Sequence, residues 1–434
     1  MTQFTCSPGG RVDGSIRVPG DKSISHRSII LSSIAEGTSH ISGFLQGEDS
    51  LNTIRAFQQM GVSIKRDQDQ VRVCGVGLHG LEKPGSDLDM GNSGTAMRLL
   101  LGLLAGQAFD SRLIGDSSLS SRPMRRVIDP LQSMGATIES EPGGRAPLQI
   151  KASNGLTAIE YDMPVASAQV KSCLLLAGLY ASGETVVREP APTRDHSERM
   201  LRGFGCEVLS KGSAIRLPGK QVLVAHDIEV PADISSAAFL MVAASIAAGS
   251  EITLCHVGIN PTRTGVIDIL KLMGADIELL NQRDIGGEPV ADISVRSAEL
   301  TGIDIPAHLV PLAIDEFPVL FIAAACAHGT TRLSGAEELR VKESDRIQVM
   351  ADGLTVLGVD AQSRDDGIVI QGGQLGGGEI ESHGDHRIAM SFSIASLRAT
   401  KEIRINDCAN VNTSFPGFVE LARQIGIRVT VDAG

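Results

Sequence analysis

The chain has 434 residues, and its 39 Lys and Arg against 51 Asp and Glu give a formal net charge of −12. This charge disfavours general binding of nucleic acid, because proteins that bind phosphate backbones are usually basic. Aromatic residues make up only 3% and Trp is absent, which argues against the stacking surfaces of single-strand binders. With 48 Gly, the composition predicts a soluble, glycine-rich α/β protein.

The cysteines and the apolar segments suggest a compartment. The seven cysteines are scattered and form no C-x-x-C pair, which predicts neither a disulfide framework nor a thiolate metal site. The first residues lack the basic flank and apolar stretch of a signal peptide. The most apolar stretch, 317–327, is shorter than the roughly 20 residues that a membrane span needs. We therefore expect a cytoplasmic protein that does not enter a membrane.

An internal repeat organises the chain. An apolar residue, a Gly and a short alternating strand recur six times, with successive glycines 68 to 84 residues apart. Each Gly follows an amphipathic stretch, where glycine commonly ends a helix in the left-handed conformation. The chain is therefore predicted to contain six repeats of about 70 residues, marked by Gly61, Gly135, Gly205, Gly274, Gly358 and Gly426.

Each repeat also contains a second, almost wholly apolar helix, such as 170–179, 239–247 or 319–325. Helices that are apolar all round are usually buried. A small polar residue begins each of them and is its expected N-cap: Ser23, Asn92, Ser167, Asp233 or Ser235, Asp315, and Asp385. The caps are neutral in the first half of the chain and can all be carboxylates in the second half.

These caps suggest a division of labour between two lobes of three repeats. Helix N-termini attract anions, so we expect the first lobe to bind a fixed anionic group and the second to supply carboxylates for proton chemistry, with a cleft between them. Caps that only stabilise a repeat scaffold are the alternative.

Basic residues lie at several of these N-termini. The segment 20–27, GDKSISHR, places Lys22, Ser23 and Arg27 around the first of them, which is phosphate-binding chemistry. The spacing of a Walker A loop is absent, so ATP is not implied. A solvated cap with surface charges remains an alternative for this segment taken alone.

Further candidates follow along the chain. Gly94 lies in a segment of small residues that would admit a ligand close to the backbone, and Arg122 supplies a guanidinium fork. Ser167 and Gln169 begin the third apolar helix with a hydroxyl and an amide. Each of these segments, taken alone, is equally an ordinary helix start. The segment 194–198, RDHSE, has poor spacing for a metal site and more often forms a capped helix start.

The second half supplies its own charged segments. Lys342 and Arg346 lie at i and i+4, where like charges repel and a bound anion would relieve them, although a solvated face is also consistent. Arg387 begins the sixth apolar helix and is the strongest candidate anion ligand there. The glycines of 75–80 match G-x-G-x-x-G, but Pro84 and Gly85 prevent the helix that a dinucleotide site requires.

Taken together, these segments resemble the EPSP synthase family, the 3-phosphoshikimate 1-carboxyvinyltransferases. The resemblance spans essentially the whole chain, and SAQVK, RDHSE and NPTR resemble the class II branch. The segments that carry it occur in the order of the family: GDKSISHR, GNSGTAMR, SRPM, SAQVK, RDHSE, NPTRTG, IDEFP, RVKESDRI and DHRIAMSF.

The resemblance implies an α/β fold of two similar lobes, each built of three inverted α/β repeat units with buried parallel helices surrounded by sheets. One lobe would contain 1–18 plus 233–434, including the catalytic carboxylates, and the other 19–232, with crossovers near 19 and 232. The reaction implied is transfer of the enolpyruvyl group of phosphoenolpyruvate to the 5-hydroxyl of shikimate 3-phosphate with release of phosphate. No metal or organic cofactor is implied, and we expect a monomer whose partners are these two anions.

The resemblance also implies residue roles. Asp315 is implied as the catalytic base, Glu343 as the acid and Lys22 as a proton carrier. The implied shikimate 3-phosphate ligands are Lys22, Ser23, Arg27, Ser167, Gln169, Arg194, Asp315 and Lys342. The implied phosphoenolpyruvate ligands are Lys22, Gly94, Arg122, Gln169, Arg346 and Arg387. Some relatives that tolerate the inhibitor glyphosate carry Ala in place of Gly94, so the glycine of this chain leaves its response to glyphosate open.

Two rival functions come from related folds. The sister enolpyruvyl transferase of cell-wall synthesis normally uses a loop cysteine, and no cysteine lies between Cys74 and Cys173. RNA terminal-phosphate cyclases are built of the same repeat, but the acidic charge and the few aromatic residues argue against nucleic acid.

Overall fold

The computed structural model of the chain describes residues 2–433, and these divide into two compact units. The inserted unit contains Gly20–Val230 together with the short turn Ile285–Glu288. The terminal unit contains the residues up to Pro19, Pro231–Asp284 and the residues from Pro289 onward. Each unit has its own hydrophobic core.

Helices of two kinds alternate along the chain, one buried and one at the surface. The α-helices are α1 Lys22–Ser33, α2 Glu48–Gln59, α3 Gly94–Leu104, α4 Ser117–Ser121, α5 Arg125–Ser133, α6 Ala168–Gly178, α7 His196–Gly203, α8 Ile234–Ile246, α9 Gly265–Leu272, α10 Phe317–Cys326, α11 Arg346–Val356, α12 His386–Ala395, α13 Val411–Ser414 and α14 Phe418–Gln424. Two 3₁₀ helices cover Ala307–Leu309 and Glu337–Val341.

The strands are short and follow the helices in a regular order. They are β1 Thr2–Cys6, β2 Asp13–Ile16, β3 Glu36–Ser42, β4 Ser63–Asp67, β5 Gln70–Val76, β6 Leu88–Asp89, β7 Ser111–Ile114, β8 Ile138–Glu141, β9 Arg145–Ile150, β10 Leu156–Thr157, β11 Glu160–Asp162, β12 Ala181–Ser182, β13 Glu184–Arg188, β14 Leu209–Lys211, β15 Ala214–Pro218, β16 Ile228–Glu229, β17 Glu251–Gly258, β18 Asp276–Ile285, β19 Glu288–Arg296, β20 Thr330–Leu333, β21 Asp360–Arg364, β22 Gly367–Gln371, β23 Gly378–Glu381, β24 Ile403–Asn406 and β25 Val429–Ala433.

The predicted six-fold repeat is confirmed by the ends of the surface helices. The glycines that follow α2, α5, α7, α9, α11 and α14 all have positive φ, between 83° and 107°, which is the left-handed conformation that favours glycine. A strand follows each of these glycines. After Gly205 the strand begins only at Leu209, so the residues expected to form it, 206–208, are not part of it.

Each repeat contributes one small sheet. The inserted unit contains β16-β3-β5-β4, β6-β7-β9-β8 and β11-β13-β15-β14, and the terminal unit contains β18-β19-β17-β2, β20-β22-β21 and β23-β24-β1-β25. The first sheet shows the common pattern, with β16 parallel to β3 and antiparallel pairs elsewhere. A separate two-stranded sheet pairs β10 with β12.

Strands distant in sequence complete several of these sheets. β1 pairs antiparallel with β24 and with β25, with Phe4 opposite Ile405 and Val431. β2 pairs parallel with β17. In the inserted unit β16 closes the sheet that β3 began, with Ile228 opposite Ile41. The chain therefore leaves the terminal unit after β2, builds the inserted unit and then returns.

The apolar helices of the repeats form the two cores. In α8 all thirteen residues are buried. In the inserted unit α3 and α6 touch at Gly102, where an added Cβ would lie 2.1 Å from the carbonyl oxygen of Cys173. Any residue with a Cβ would clash with this oxygen, so only glycine fits here. The backbones of the two buried helices are therefore in direct contact. Among the described residues, no helix combines the length and apolar character needed to cross a membrane.

Three of the predicted helix caps are wrong and three are confirmed. Ser167, Asp233 and Asp385 are the N-caps of α6, α8 and α12, as expected. The cap of α1 is Asp21 and not Ser23, because the carboxylate of Asp21 accepts from the amide of Ile24.

The other two errors are shifts by one residue. Ser93 caps α3 in place of Asn92, whose amide contacts Asp116 and Arg122 instead. Glu316, not Asp315, occupies the cap position of α10, and its side chain makes no capping hydrogen bond. With Asp21 at α1, the expectation of neutral caps throughout the first half is wrong.

Candidate active site

The first N-terminus of the inserted unit carries two basic residues in different environments. Lys22 is the first residue of α1, is partly exposed and forms an ion pair with Asp49. Arg27 lies one turn further along the helix and is buried, with 4% of its surface exposed. Burial lowers the pKa of Arg27 to about 10. This value is still well above neutral pH, so the guanidinium remains charged.

Two serines hold the buried guanidinium of Arg27. Its Nε donates to Oγ of Ser197 and its Nη2 to Oγ of Ser172, each over 2.7 Å, and its Nη1 donates to the carbonyl oxygen of Ser23. The hydroxyl of Ser197 in turn donates to that of Ser172. Arg27 thus joins α1 to α6 and α7. Neither serine was predicted as a partner of Arg27: Ser172 lies inside a predicted helix and Ser197 in a predicted helix start, 145 and 170 residues from Arg27.

A second group of side chains lies at the N-termini of α3 and α6. Nη1 of Arg98 donates to Oε1 of Gln169 over 2.6 Å, and Nε2 of Gln169 donates to Oγ1 of Thr95 over 3.0 Å. These two contacts fix which end of the Gln169 amide is the donor. Arg98 ends the segment GNSGTAMR, and the sequence alone indicates no partner for it.

Gly94 and Arg122 belong to the same group. An added Cβ on Gly94 would lie 2.9 Å from Nη1 of Arg98 and 3.5 Å from Nη1 of Arg122. Nη2 of Arg122 donates to Oδ1 of Asn92 over 2.8 Å. The structure therefore brings Gly94, Arg122 and Gln169 together, with the small size of Gly94 leaving room beside two guanidinium groups.

The remaining predicted residues of this unit, Ser167 and Arg194, flank α6 and α7. Oγ of Ser167 accepts from the amide of Val170 over 3.4 Å. Arg194 lies close enough to Arg27 for its charge to contribute to the lowered pKa of Arg27. Both side chains are partly exposed. We call the predicted residues of this unit the inserted-unit cluster: Lys22, Ser23, Arg27, Gly94, Arg122, Ser167, Gln169 and Arg194.

In the terminal unit, the candidate residues form one connected network around Arg346. The guanidinium of Arg346 is buried, with 1% of the side chain exposed. Its Nη2 donates to Oε2 of Glu343 over 2.6 Å, and its Nη1 lies 3.4 Å from Oδ1 of Asp315. Its Nε donates to Oδ2 of Asp385 over 2.8 Å. Burial alone would lower the pKa of Arg346, but the three carboxylates raise it above its usual value.

Asp315 joins the other two predicted residues to this network. Nζ of Lys342 lies 3.4 Å from Oδ1 of Asp315, and Nη1 of Arg387 donates to the backbone oxygen of Asp315 over 2.8 Å. The structure thus brings together all five residues predicted in this unit. We call them the terminal-unit cluster: Asp315, Lys342, Glu343, Arg346 and Arg387.

Asp385 is a member of the network that the sequence analysis treated only as a cap. Asp385 is fully buried, and its carboxylate accepts hydrogen bonds from the backbone amide of Arg387 and from the hydroxyl of Ser344. Burial raises the pKa of Asp385, but the charge and hydrogen bond of Arg346 and the charge of His386 together bring it below its usual value, so the group stays ionised. The signal in the sequence was its place in HGDHR, which does not reveal a partner 39 residues away.

A smaller buried network lies beside this cluster, at the N-termini of α8 and α10. Nη2 of Arg263 donates to Oγ of Ser235 over 2.7 Å and lies 3.3 Å from Oδ1 of Asp233. The hydroxyl of Ser235 donates to Glu316, the residue after Asp315. Within residues 2–433, no three His, Cys, Asp or Glu side chains are grouped so as to hold a metal ion.

This arrangement defines a class of protein before any comparison. Guanidinium groups held at the N-termini of buried helices suit small ligands that carry phosphate and carboxylate groups. Carboxylates beside a lysine suit proton transfer. Fold and clusters together therefore indicate an α/β enzyme that acts on small, multiply charged anions.

Comparison with known proteins specifies the family. The family model described as EPSP synthase (3-phosphoshikimate 1-carboxyvinyltransferase) matches residues 6–421. The 3-phosphoshikimate 1-carboxyvinyltransferase of Methylococcus capsulatus is 64% identical over 429 residues, which cover 99% of this chain and 98% of the relative. That of Alkalilimnicola ehrlichii is 64% identical over 430 residues, covering 99% and 96%. The solved EPSP synthase of Acinetobacter baumannii is 56% identical, with a TM-score of 0.91 and complete coverage of both chains. The chain belongs to the EPSP synthase family, as the sequence analysis predicted.

Proposed function

We propose that the chain transfers the enolpyruvyl group of phosphoenolpyruvate to the 5-hydroxyl of shikimate 3-phosphate and releases inorganic phosphate. The family supports this directly, since curated relatives at 58 to 64% identity over nearly the full length share one name. In the geometry, the observation that carries the proposal is the terminal-unit cluster. It combines a carboxylate beside a lysine, a second carboxylate and two guanidinium groups, which this reaction needs.

We assign shikimate 3-phosphate to Ser23, Arg27, Ser167, Gln169 and Arg194 of the inserted-unit cluster. Arg27 supplies a charge that is held in place by hydrogen bonds to two serine hydroxyl groups. A preorganised guanidinium loses little conformational freedom on binding phosphate. Lys22 is assigned to both substrates.

Phosphoenolpyruvate is assigned to Gly94, Arg122, Gln169, Arg346 and Arg387. The three guanidinium groups can pair with its carboxylate and its phosphate in bidentate fashion. The glycine matters because a side chain at this position would lie against the guanidinium groups of Arg98 and Arg122.

The terminal-unit cluster is assigned the chemistry. Asp315 removes the proton of the 5-hydroxyl, with Lys342 beside it, and the hydroxyl oxygen then forms a bond to C2 of phosphoenolpyruvate. Glu343 protonates the methylene carbon, which completes a tetrahedral adduct. In the second step the carboxylate of Glu343 takes a proton from the new methyl group, and the bond from C2 to the phosphate oxygen breaks. This restores the double bond and releases phosphate, which accepts the proton held by Asp315. Lys22 is assigned to proton transfer in these steps.

Arg346 couples the binding of an anionic substrate to the protonation of Glu343. Its guanidinium pairs with both Glu343 and Asp315. An incoming phosphate or carboxylate competes for the same donors and weakens their hold on Glu343. A carboxyl group that loses a cationic partner is more readily protonated, as an acid catalyst must be.

Other parts of the proposal rest on the sequence. We propose that the protein acts as a monomer in the cytoplasm, without a metal or an organic cofactor, and that it belongs to the class II branch. The family match argues against an RNA cyclase and against a repeat scaffold without catalysis.

The proposal is tested by mixing the purified protein with phosphoenolpyruvate and shikimate 3-phosphate and measuring phosphate release. Release should require both substrates, and Asp315→Asn should lower kcat by about 10²- to 10⁴-fold, the usual contribution of a general base. Asp304→Asn is the matched control, because Asp304 is an exposed carboxylate paired with Arg332 in the same unit. Turnover with the sugar nucleotide of cell-wall synthesis instead of shikimate 3-phosphate would overturn the assignment.

A further inference from the structure

A buried lysine lies two residues beyond Gln169, outside the residues assigned so far. Lys171 in α6 has 1% of its side chain exposed. Its ammonium group lies 2.7 Å from Oε1 of Glu198 and 2.9 Å from Oε1 of Glu189, and donates to the carbonyl oxygen of Thr193 over 3.5 Å. A lysine is rarely buried this deeply without such partners.

The three partners of Lys171 lie on either side of Arg194. Glu189 and Thr193 precede it, and the hydroxyl of Thr193 also donates to Glu189. Glu198 follows it in the first turn of α7. One ammonium group therefore fixes both ends of the segment 189–198, and Arg194 lies inside that segment.

The same lysine lies beside the contacts that hold Arg27. Ser172 follows Lys171 in α6, and Ser197 precedes Glu198 in α7. The Lys171–Glu198 ion pair and the Ser172–Ser197 hydrogen bond are thus neighbouring links between the two helices. Arg27 donates to both serines, so their positions set the position of its guanidinium.

Electrostatics tie this pair to the candidate site. Burial raises the pKa of Glu198 and outweighs the lowering by Lys171, so without the ammonium group its charge would be costly. The charge of Glu198 also favours the charged form of Arg27, against the effect of burial. Removal of Lys171 would thus disturb both the geometry and the charge around Arg27.

We propose that Lys171 is a positioning residue for shikimate 3-phosphate, acting through Arg27 and Arg194. This inference rests on the proposed function and deepens it. Lys171 touches no substrate, and its effect is to hold two guanidinium groups in the geometry that one phosphate group requires.

The test compares Lys171→Met, the double variant Lys171→Met with Glu198→Gln, and Lys151→Met. Lys151 is the matched control because it is a partly exposed lysine near two carboxylates in the same unit. The readouts are kcat, the KM of each substrate separately, and the direct binding of shikimate 3-phosphate by calorimetry. The double variant removes the carboxylate that Lys171→Met leaves buried without its ammonium partner, so it supplies the kinetic readout should the single variant fail to fold.

We expect the KM for shikimate 3-phosphate to rise about 10- to 100-fold in both Lys171 variants, the effect of a small misplacement of binding groups. The KM for phosphoenolpyruvate should stay within about threefold, and Lys151→Met should match the wild type. A purely structural salt bridge would instead lower the amount of active enzyme without changing one KM selectively.

An Arg194→Ala background adds a second readout. If Lys171 acts through Arg194, Lys171→Met should raise the KM for shikimate 3-phosphate less in that background than in the wild type. Equal effects on both substrates, or an unchanged KM for shikimate 3-phosphate in the double variant, would overturn the role of Lys171. A wild-type protein that neither binds nor converts shikimate 3-phosphate would instead overturn the proposed function, and the inference with it.

Discussion

Arg346 and Asp385 form a buried ion pair, with Nε of Arg346 2.8 Å from Oδ2 of Asp385 and both side chains almost fully buried. Asp385 is also the N-cap of α12, so a hydrogen bond from the helix backbone fixes the orientation of its carboxylate toward the guanidinium. The remaining nitrogens of Arg346 point to Asp315 and Glu343. A helix cap therefore sets the orientation of a cation that pairs with both proposed catalytic carboxylates.

This pair predicts a large loss of stability when Arg346 is removed. Arg346→Met leaves Asp385 buried without its cation, which should lower the free energy of unfolding by about 3–5 kcal/mol. Arg332→Met is the control, since Arg332 is exposed and its pair with Asp304 should contribute under about 1 kcal/mol. Urea denaturation of both variants measures the difference, and equal losses would contradict the role assigned to the buried pair.

Glu343 should separate catalysis from binding. Glu343→Gln should lower kcat by about 10²- to 10⁴-fold, because the proposed acid is lost. The KM for phosphoenolpyruvate should fall or stay constant, because a neutral amide competes less for Arg346. Glu337→Gln, an exposed glutamate in the preceding 3₁₀ helix, is the control. A raised KM with an unchanged kcat would assign Glu343 to binding instead.

Two glycines of α3 should respond differently to alanine. In Gly94→Ala the new methyl group meets the flexible end of Arg98, so stability should change by less than about 1 kcal/mol. The KM for phosphoenolpyruvate should rise about 3- to 10-fold as Arg98 shifts away from Gln169. The concentration of glyphosate needed for half inhibition should rise by a larger factor than this KM, because glyphosate is longer than phosphoenolpyruvate.

Gly102→Ala is the contrasting variant in the same helix. Its methyl group meets the backbone oxygen of Cys173, which cannot move without separating α3 from α6. We expect a loss of about 1–3 kcal/mol despite the higher helix propensity of alanine. Thermal unfolding distinguishes the two variants, and a stable Gly102→Ala protein would show that these helices tolerate a wider separation.

His26 should make stability depend on pH. Its imidazole is fully buried and contacts Thr53, and burial together with the charges of Lys22 and Arg27 lowers its pKa from 6.5 to about 3. Below about pH 6.5 the unfolded chain therefore binds a proton that the folded protein does not, and stability falls by about 1.4 kcal/mol per pH unit until the folded pKa is reached. Above that range His26 has no such effect.

The measurement compares wild type with His26→Gln by urea denaturation at pH 7 and pH 5. The wild type should lose about 2 kcal/mol more than the variant over this interval. Glutamine retains a hydrogen-bonding group but cannot titrate. Parallel losses in the two proteins would show that the imidazole is protonated in the folded state.

The features predicted well from the sequence are local ones. The left-handed helix ends at the six glycines could be predicted because they depend only on neighbouring residues. The same holds for the burial of α8 and α10, whose own sequences are largely apolar. The basic residues at the helix N-termini were found for the same reason.

What the sequence analysis missed depends on contacts between distant residues. Asp21 and Ser93 are the N-caps in place of Ser23 and Asn92. A difference of one or two residues in where a helix begins changes which side chain reaches its free amide groups. Ser172 and Ser197 acquire a role only when three helices meet at Arg27. The local pattern around Lys171 predicts a helix and cannot reveal its carboxylate partners, which are contributed by the segment around α7.

The pairing of β1 with β24 and β25 imposes an order on folding during synthesis. The three sheets of the inserted unit can form as soon as β16 has left the ribosome, because all their strands lie before residue 230. β1 is made before any of these strands, yet its partners begin only at Ile403. The earliest strand therefore stays without its native partners until β24 and β25 have been synthesised, about 400 residues later.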